Sequence, residues 1–124
     1  GQAPITGDVA VVGDSIVAVG VVNGKGRTEV DASGMAVSPG FINMLSWATE
    51  SLIEDGRSLS DIRQGVTLEV MGEGTSMGPL SDTLKADMLA KQGAIRYPIT
   101  WRTLREYQDS LVAKGISTNI ASFV

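Results

Sequence analysis

A chain of 124 residues that is 43% hydrophobic and 19% charged has the size and composition of a single soluble globular domain with its own core. Its net charge of −4, with ten basic residues scattered along it, argues against a nucleic-acid partner, because neutralising phosphates needs clustered Lys and Arg. The absence of cysteine excludes disulfides and thiolate chemistry, and the absence of histidine removes the commonest metal ligand and the best proton carrier at neutral pH.

Residues 1–7 have neither the basic start nor the apolar stretch of a signal peptide, and the first residue is not Met, which leaves room for a removed leader or first strand. No run approaches the ~20 consecutive apolar residues of a membrane span, so no membrane partner is expected. The compartment stays open.

The first forty residues read as strands between Gly-rich turns. "DVAVVGDSIVAVG" holds two β-branched runs joined by Gly13-Asp14, a hairpin signal. "VVNGKGRTEVDASG" adds the turn pair Asn23-Gly24 and an expected short strand around Thr28 to Asp31. These features predict a small antiparallel sheet, part of a sandwich.

At Pro39-Gly40 the pattern changes to apolar runs of strand length alternating with helical spacing, as in βα units. Phe41 to Trp47 is strand-like. Ser58 to Gln64 suits a helix with Ser58 or Ser60 as N-cap and Gly65 beyond its end. Val66 to Met71 reads as a buried strand opening into "GEGTSMGP". Leu80 to Lys91 has helical spacing at Leu84, Met88 and Leu89, with Ser81 or Asp82 as cap. Trp101 to Lys114 carries the clearest apolar stripe, through Trp101, Leu104, Tyr107, Leu111 and Val112, with Thr100 as cap and Gly115 as stop. "ISTNIASFV" is a further strand. Three parallel strands do not close a barrel, which takes eight units and about 250 residues. The expected fold is therefore α/β, with residues 1–38 as a β-sandwich portion and residues 39–124 as the start of an incomplete (β/α)8 barrel.

The sequence "GDVAVVGDSIVAVG…VDASGMAVSPGFIN" resembles the opening of the metal-dependent amidohydrolase superfamily, and within it the N-acyl-D-amino-acid deacylase group. The resemblance continues through "DIRQGVTLEVMGEG", similar to the second barrel strand and its loop, to "STNIASFV", similar to the third. It implies hydrolysis of the C–N bond of an N-acyl amino acid or similar small amide in the complete protein, with a divalent metal, zinc, as the family's cofactor. The family's first strand ends in His-x-His and binds that metal. Here Leu45 and Trp47 stand at those positions, and Asn43 stands where the family has Asp. The family's Cys after the second strand corresponds to Glu73 or Gly74. The resemblance therefore implies no metal held by this chain, which alone is expected to be inactive, with no catalytic residue assigned.

The pocket-lining candidates are Leu45, Trp47, Glu73, Ser76 and Asn119. As residues i and i+2 of a strand, Leu45 and Trp47 would share a face. They would pack in the core or line a re-purposed pocket, leaving Ser46 on the other side. Glu73, among glycines after a buried strand, could bind a metal, act as a base, meet a substrate amine, or be a solvated loop acid. Ser76 lacks a histidine base for nucleophilic use. Gly72, Gly74 and Gly78 are not followed by Gly-Lys-Ser/Thr and form no phosphate loop. Asn43 and Asn119 are amides suited to tying strand ends to loops. Met71 and Met77 read as core, Glu54-Asp55 as a solvated turn, and the Trp101 stripe as the buried side of a helix. A truncated barrel would expose apolar surface on Phe41, Val66, Leu68 and Ile120 and self-associate. The alternatives are a non-catalytic barrel descendant and a self-contained α/β interaction domain.

Overall fold

The computed structural model describes residues 3–124. The chain divides after Val37 into two compact units, the second being Ser38–Val124.

In the first unit, β1 (Asp8–Val12) and β2 (Ser15–Gly20) pair antiparallel around Gly13-Asp14, with Val12 opposite Ser15 and an irregularity between Ala10 and Val11. The turn works because Gly13 takes a φ of +63°, a left-handed value that costs glycine little. Val11, Val12, Ile16, Val17 and Val19 stay more than half exposed, so both faces of the hairpin are open. The strand expected at Thr28 to Asp31 does not form. The Glu29 carboxylate accepts from Gly26 N–H at 2.9 Å and the Asp31 carboxylate from Ser33 N–H at 2.9 Å. The two carboxylates close local turns onto the flanking Gly26 and Ser33.

The second unit is a parallel sheet in the order β3 (Phe41–Asn43), β4 (Val66–Met71), β5 (Asn119–Ser122), with β4 central. Hydrogen bonds from Ser46 N–H to Val70 O and from Phe123 N–H to Met71 O, each 2.9 Å, continue the pairing beyond both outer strands. Gly40 is required at the start of β3, where any β-carbon would collide with the Thr67 side chain. β3 is shorter than the expected run to Trp47, and the chain turns at Met44 and Leu45. Here the Asn43 side-chain oxygen accepts from Leu45 N–H at 3.2 Å and replaces a ladder bond.

Four helices connect the strands. The first, α1 (Ser51–Glu54), falls where only a turn is expected, and α2 (Leu59–Ile62) is shorter than the predicted helix. Ser58 is the N-cap of α2 by position, yet its side chain caps nothing and its φ is +42°. Then come α3 (Asp82–Lys91) and α4 (Leu104–Lys114). Ser81 caps α3 through its hydroxyl, which accepts from Leu84 N–H at 3.2 Å. Leu84 and Leu89 remain exposed, and only the half-buried Met88 packs against the core.

The last helix starts three residues later than its apolar stripe suggests. Thr103, not Thr100, is the cap. Its hydroxyl accepts from Glu106 N–H at 3.2 Å, and Glu106 accepts from Thr103 N–H at 2.9 Å, a reciprocal capping box. Trp101 lies outside the helix but inside the core, its indole N–H donating to Met77 O at 2.8 Å. Tyr107 and Leu111 are buried, whereas Val112 is exposed. At the far end Lys114 Nζ donates to the Ile53 and Glu54 carbonyls, so α4 caps the C-terminus of α1.

Thr67, Glu69 and Met71 of β4 share one face by strand alternation, and Val66, Leu68 and Val70 the other. Glu69 and Met71 are fully buried, with Leu52, Tyr107 and Leu111 in the same core, while Val66, Leu68 and Val70 are only half-buried. Helices thus cover one side of the sheet. Of the residues expected to leave an open apolar face, Phe41 is exposed, but Ile120 packs against the core.

Candidate functional site

The C-terminal ends of parallel strands are where connecting loops gather in α/β folds. Leu45, Trp47, Glu73 and Ser76 lie at that end of the sheet, and Asn119 does not. Asn119 begins β5, and its amide donates to Thr67 O at 3.0 Å, tying two strand starts together.

Leu45 and Trp47 are 51% and 73% exposed and lie outside the core of this unit. β3 has already ended at Asn43, yet Ser46 is buried between the exposed Leu45 and Trp47, so these three residues still alternate. Trp47 reaches over the loop after β4. A β-carbon on Gly74 would stand 3.7 Å from its Cη2. Glu73, next to Gly74, is exposed. Ser76 is a tie rather than a nucleophile: its hydroxyl lies 2.7 Å from Gly78 O and 3.2 Å from Phe123 O, joining this loop to the exit of β5.

Beneath this end lies a cluster that periodicity does not reveal. Glu69 is fully buried at the middle of β4, opposite Asn43 on one side and Ile120 on the other. One carboxylate oxygen accepts from Ser46 Oγ at 2.7 Å. The other accepts from Ser58 Oγ at 2.7 Å and Thr118 Oγ1 at 3.0 Å. An ionised carboxylate is acceptor-only, and three hydroxyl donors meet most of its demand. Such solvation is what makes a buried carboxylate tolerable, since an unpaired one costs several kcal/mol. Ser58 gives up its capping role to make this contact. Its left-handed backbone costs about 1–2 kcal/mol in a non-glycine residue. The only sign of this cluster in the sequence is an acid inside the apolar run "VTLEVM".

Ser46 beside Glu69 has the outline of a hydroxyl–carboxylate pair, but Ser46 is 6% exposed and faces the helix layer. No reacting carbonyl could reach it. Asn43 ties as expected, its amide 3.4 Å from Asp61 Oδ1. Met71 and Met77 are core residues. Glu54 and Asp55 are exposed, and the hydrogen-bonded Arg57 guanidinium holds the Asp55 carboxyl at about 2.

The aromatic stripe is internal. Tyr97 stacks on Trp101 with centroids 6.2 Å apart, and Tyr107 tilts against Trp101 at 5.2 Å. Tyr97 donates its hydroxyl to Glu50 at 2.8 Å and Tyr107 to Thr49 O at 2.7 Å. Burial, then the Glu50 contact, pushes Tyr97 up to about 12. Burial raises Tyr107 as well.

The donor set does not fit a zinc ion. With no His or Cys in the chain, and Leu and Trp at positions 45 and 47, Glu73 stands alone at the mouth. No group of three or more metal-binding side chains occurs among the described residues.

The structure defines a mixed α/β chain with two sheets, the larger being parallel and built from βα connections. In sequence the chain is D-aminoacylase-like. It is 33% identical to a D-aminoacylase of Alcaligenes xylosoxydans xylosoxydans over 94% of this chain and 24% of that protein. To an N-acyl-D-aspartate deacylase of the same organism it is 39% identical over 95% of this chain and 24% of the relative. An uncharacterised protein of Mycobacterium bovis is 28% identical over the whole chain and 22% of its own length. The chain thus spans about a quarter of the curated relatives it matches. No protein-family model and no solved structure matches it.

Proposed function

We propose that this chain forms the opening of a (β/α)8 barrel, preceded by a sandwich portion, in a larger protein that hydrolyses the amide bond of N-acyl amino acids or similar small amides. The observation that carries this reading is the sheet: β3, β4 and β5 are parallel, stand in chain order, and bear helices on one face only. Consecutive parallel strands with half-buried Val66, Leu68 and Val70 on the other face are what an unclosed barrel presents. The names of the relatives support the chemistry.

Within that protein this chain contributes pocket lining at the mouth through Trp47 and Glu73. A zinc ion, if the complete protein uses one to activate water, is held by residues outside this chain. The decisive experiment is an assay of the full-length protein on N-acetyl-D-amino acids, beside the 124-residue chain alone. Hydrolysis by the former and none by the latter is expected, and an inactive, folded full-length protein overturns the reading.

One observation favours a second reading, a barrel descendant that binds a small molecule without hydrolysing it. Where the family carries His-x-His, Leu45 and Trp47 are exposed apolar side chains. Saturable binding of an N-acyl amino acid by the full-length protein without turnover would select this reading.

A further inference from the structure

Glu69 joins three segments through these hydroxyls: the exit of β3 through Ser46, the α1–α2 connection through Ser58, and the entrance to β5 through Thr118. Ser46 is the informative arm. While donating to Glu69 it accepts from Ala48 N–H at 3.2 Å, and its own N–H is held by Val70 O at 2.9 Å. Backbone on both sides of Trp47 is therefore tied to one buried residue. The conformation that sends the Trp47 ring into solvent beside Gly74 depends on where that residue sits.

We propose that Glu69 is a positioning residue that sets the exposed Trp47 at the strand-end mouth through Ser46, and that Ser58 and Thr118 act on Trp47 through the same carboxylate. A change in the α1–α2 connection or at the start of β5 is thereby passed to the mouth. The coupling uses only contacts within the second unit and holds whether or not the complete protein is a hydrolase.

The two tryptophans allow a direct test. Trp101 is buried and Trp47 is exposed, so the chain has two indole N–H resonances in distinct environments, assignable with Trp47→Phe. Ser58→Ala and Thr118→Val each remove a hydroxyl from Glu69. Each is expected to move or broaden the Trp47 indole resonance while the Trp101 resonance keeps its position. Ser46→Ala and Glu69→Gln should do the same more strongly. Thr118→Ser, which keeps the hydroxyl, should restore the original Trp47 signal. If Ser58→Ala and Thr118→Val fold and leave the Trp47 resonance untouched, the coupling is wrong. A joint shift of both resonances would overturn it equally, since that reports general loosening. Should Glu69→Gln fail to fold, the two hydroxyl variants and the Thr118→Ser rescue still decide the matter.

Discussion

The Ser46 hydroxyl stands 2.7 Å from the carboxylate of Glu69, although Ser46 lies between two exposed residues and Glu69 is fully buried. A turn of the chain at the end of β3 separates them: Ser46 points in, Leu45 and Trp47 point out.

Removing that contact should be costly. A hydrogen bond to a charged group contributes about 1.5–3 kcal/mol, so Ser46→Ala is expected to lower unfolding free energy by that amount in urea titration. Glu69→Ala leaves the buried Ser46 and Thr118 hydroxyls and the half-buried Ser58 hydroxyl without their acceptor and opens a cavity, for a loss of about 3 kcal/mol or more. A loss under about 0.5 kcal/mol in either variant would show that the cluster contributes little.

Ser58 offers a separation of strain from bonding. Glycine accepts a φ of +42° readily and alanine does not, and both lack the hydroxyl. Both variants should be less stable than the parent, with Ser58→Gly above Ser58→Ala by about 1 kcal/mol. Equal stabilities would mean that the backbone relaxes when the Glu69 contact is lost.

The capping box predicts both a mutational and a pH effect. Thr103→Ala should cost about 1 kcal/mol. Glu106 is held below its ordinary value, chiefly by the N–H groups of Thr103 and Arg102. A depressed carboxyl contributes stability above its unfolded value that is lost as pH falls through the folded one. Asp55, held at about 2 by Arg57, has the same sign. Melting temperature should therefore fall between about pH 4.5 and 2. Glu106→Gln should flatten part of that fall.

Tyr97 gives the opposite limb. Its folded value is raised to about 12, so the stability it contributes is complete below the unfolded value near 10 and is lost as pH rises toward 12. The ultraviolet absorbance of tyrosinate should report late ionisation, and Tyr97→Phe should remove part of the alkaline destabilisation.

Zinc should not bind this chain with defined stoichiometry at micromolar concentration, because Glu73 is an isolated donor at the mouth. Calorimetric titration showing one tight site per chain, abolished by Glu73→Ala, would overturn the assignment of the donor set.

Much of the fold follows from local pattern. Gly13-Asp14 between β-branched runs specifies a hairpin, and the apolar runs at Phe41, Val66 and Asn119 specify three strands, because turn chemistry and strand period act over a few residues. The departure at the mouth is equally plain: Leu45 and Trp47 supply no metal ligand whatever the fold. Helix starts are harder to read. The stripe from Trp101 carries no information about which threonine finds a glutamate three residues on, and Thr103 with Glu106 wins over Thr100.

Tertiary structure alone decided which face of β4 is buried. Alternation of Val66, Leu68 and Val70 suggests an apolar inner face, yet Glu69 and Met71 lie deepest. The acid is acceptable there because Ser46, Ser58 and Thr118, 23, 11 and 49 residues away in the chain, bring their hydroxyls to it. The sequence determined by itself the hairpin, the three parallel strand starts and the absence of a metal ligand at positions 45 and 47. Only folding could set three distant hydroxyls around one carboxylate, since hydrogen-bond partners that far apart leave no trace in any local period.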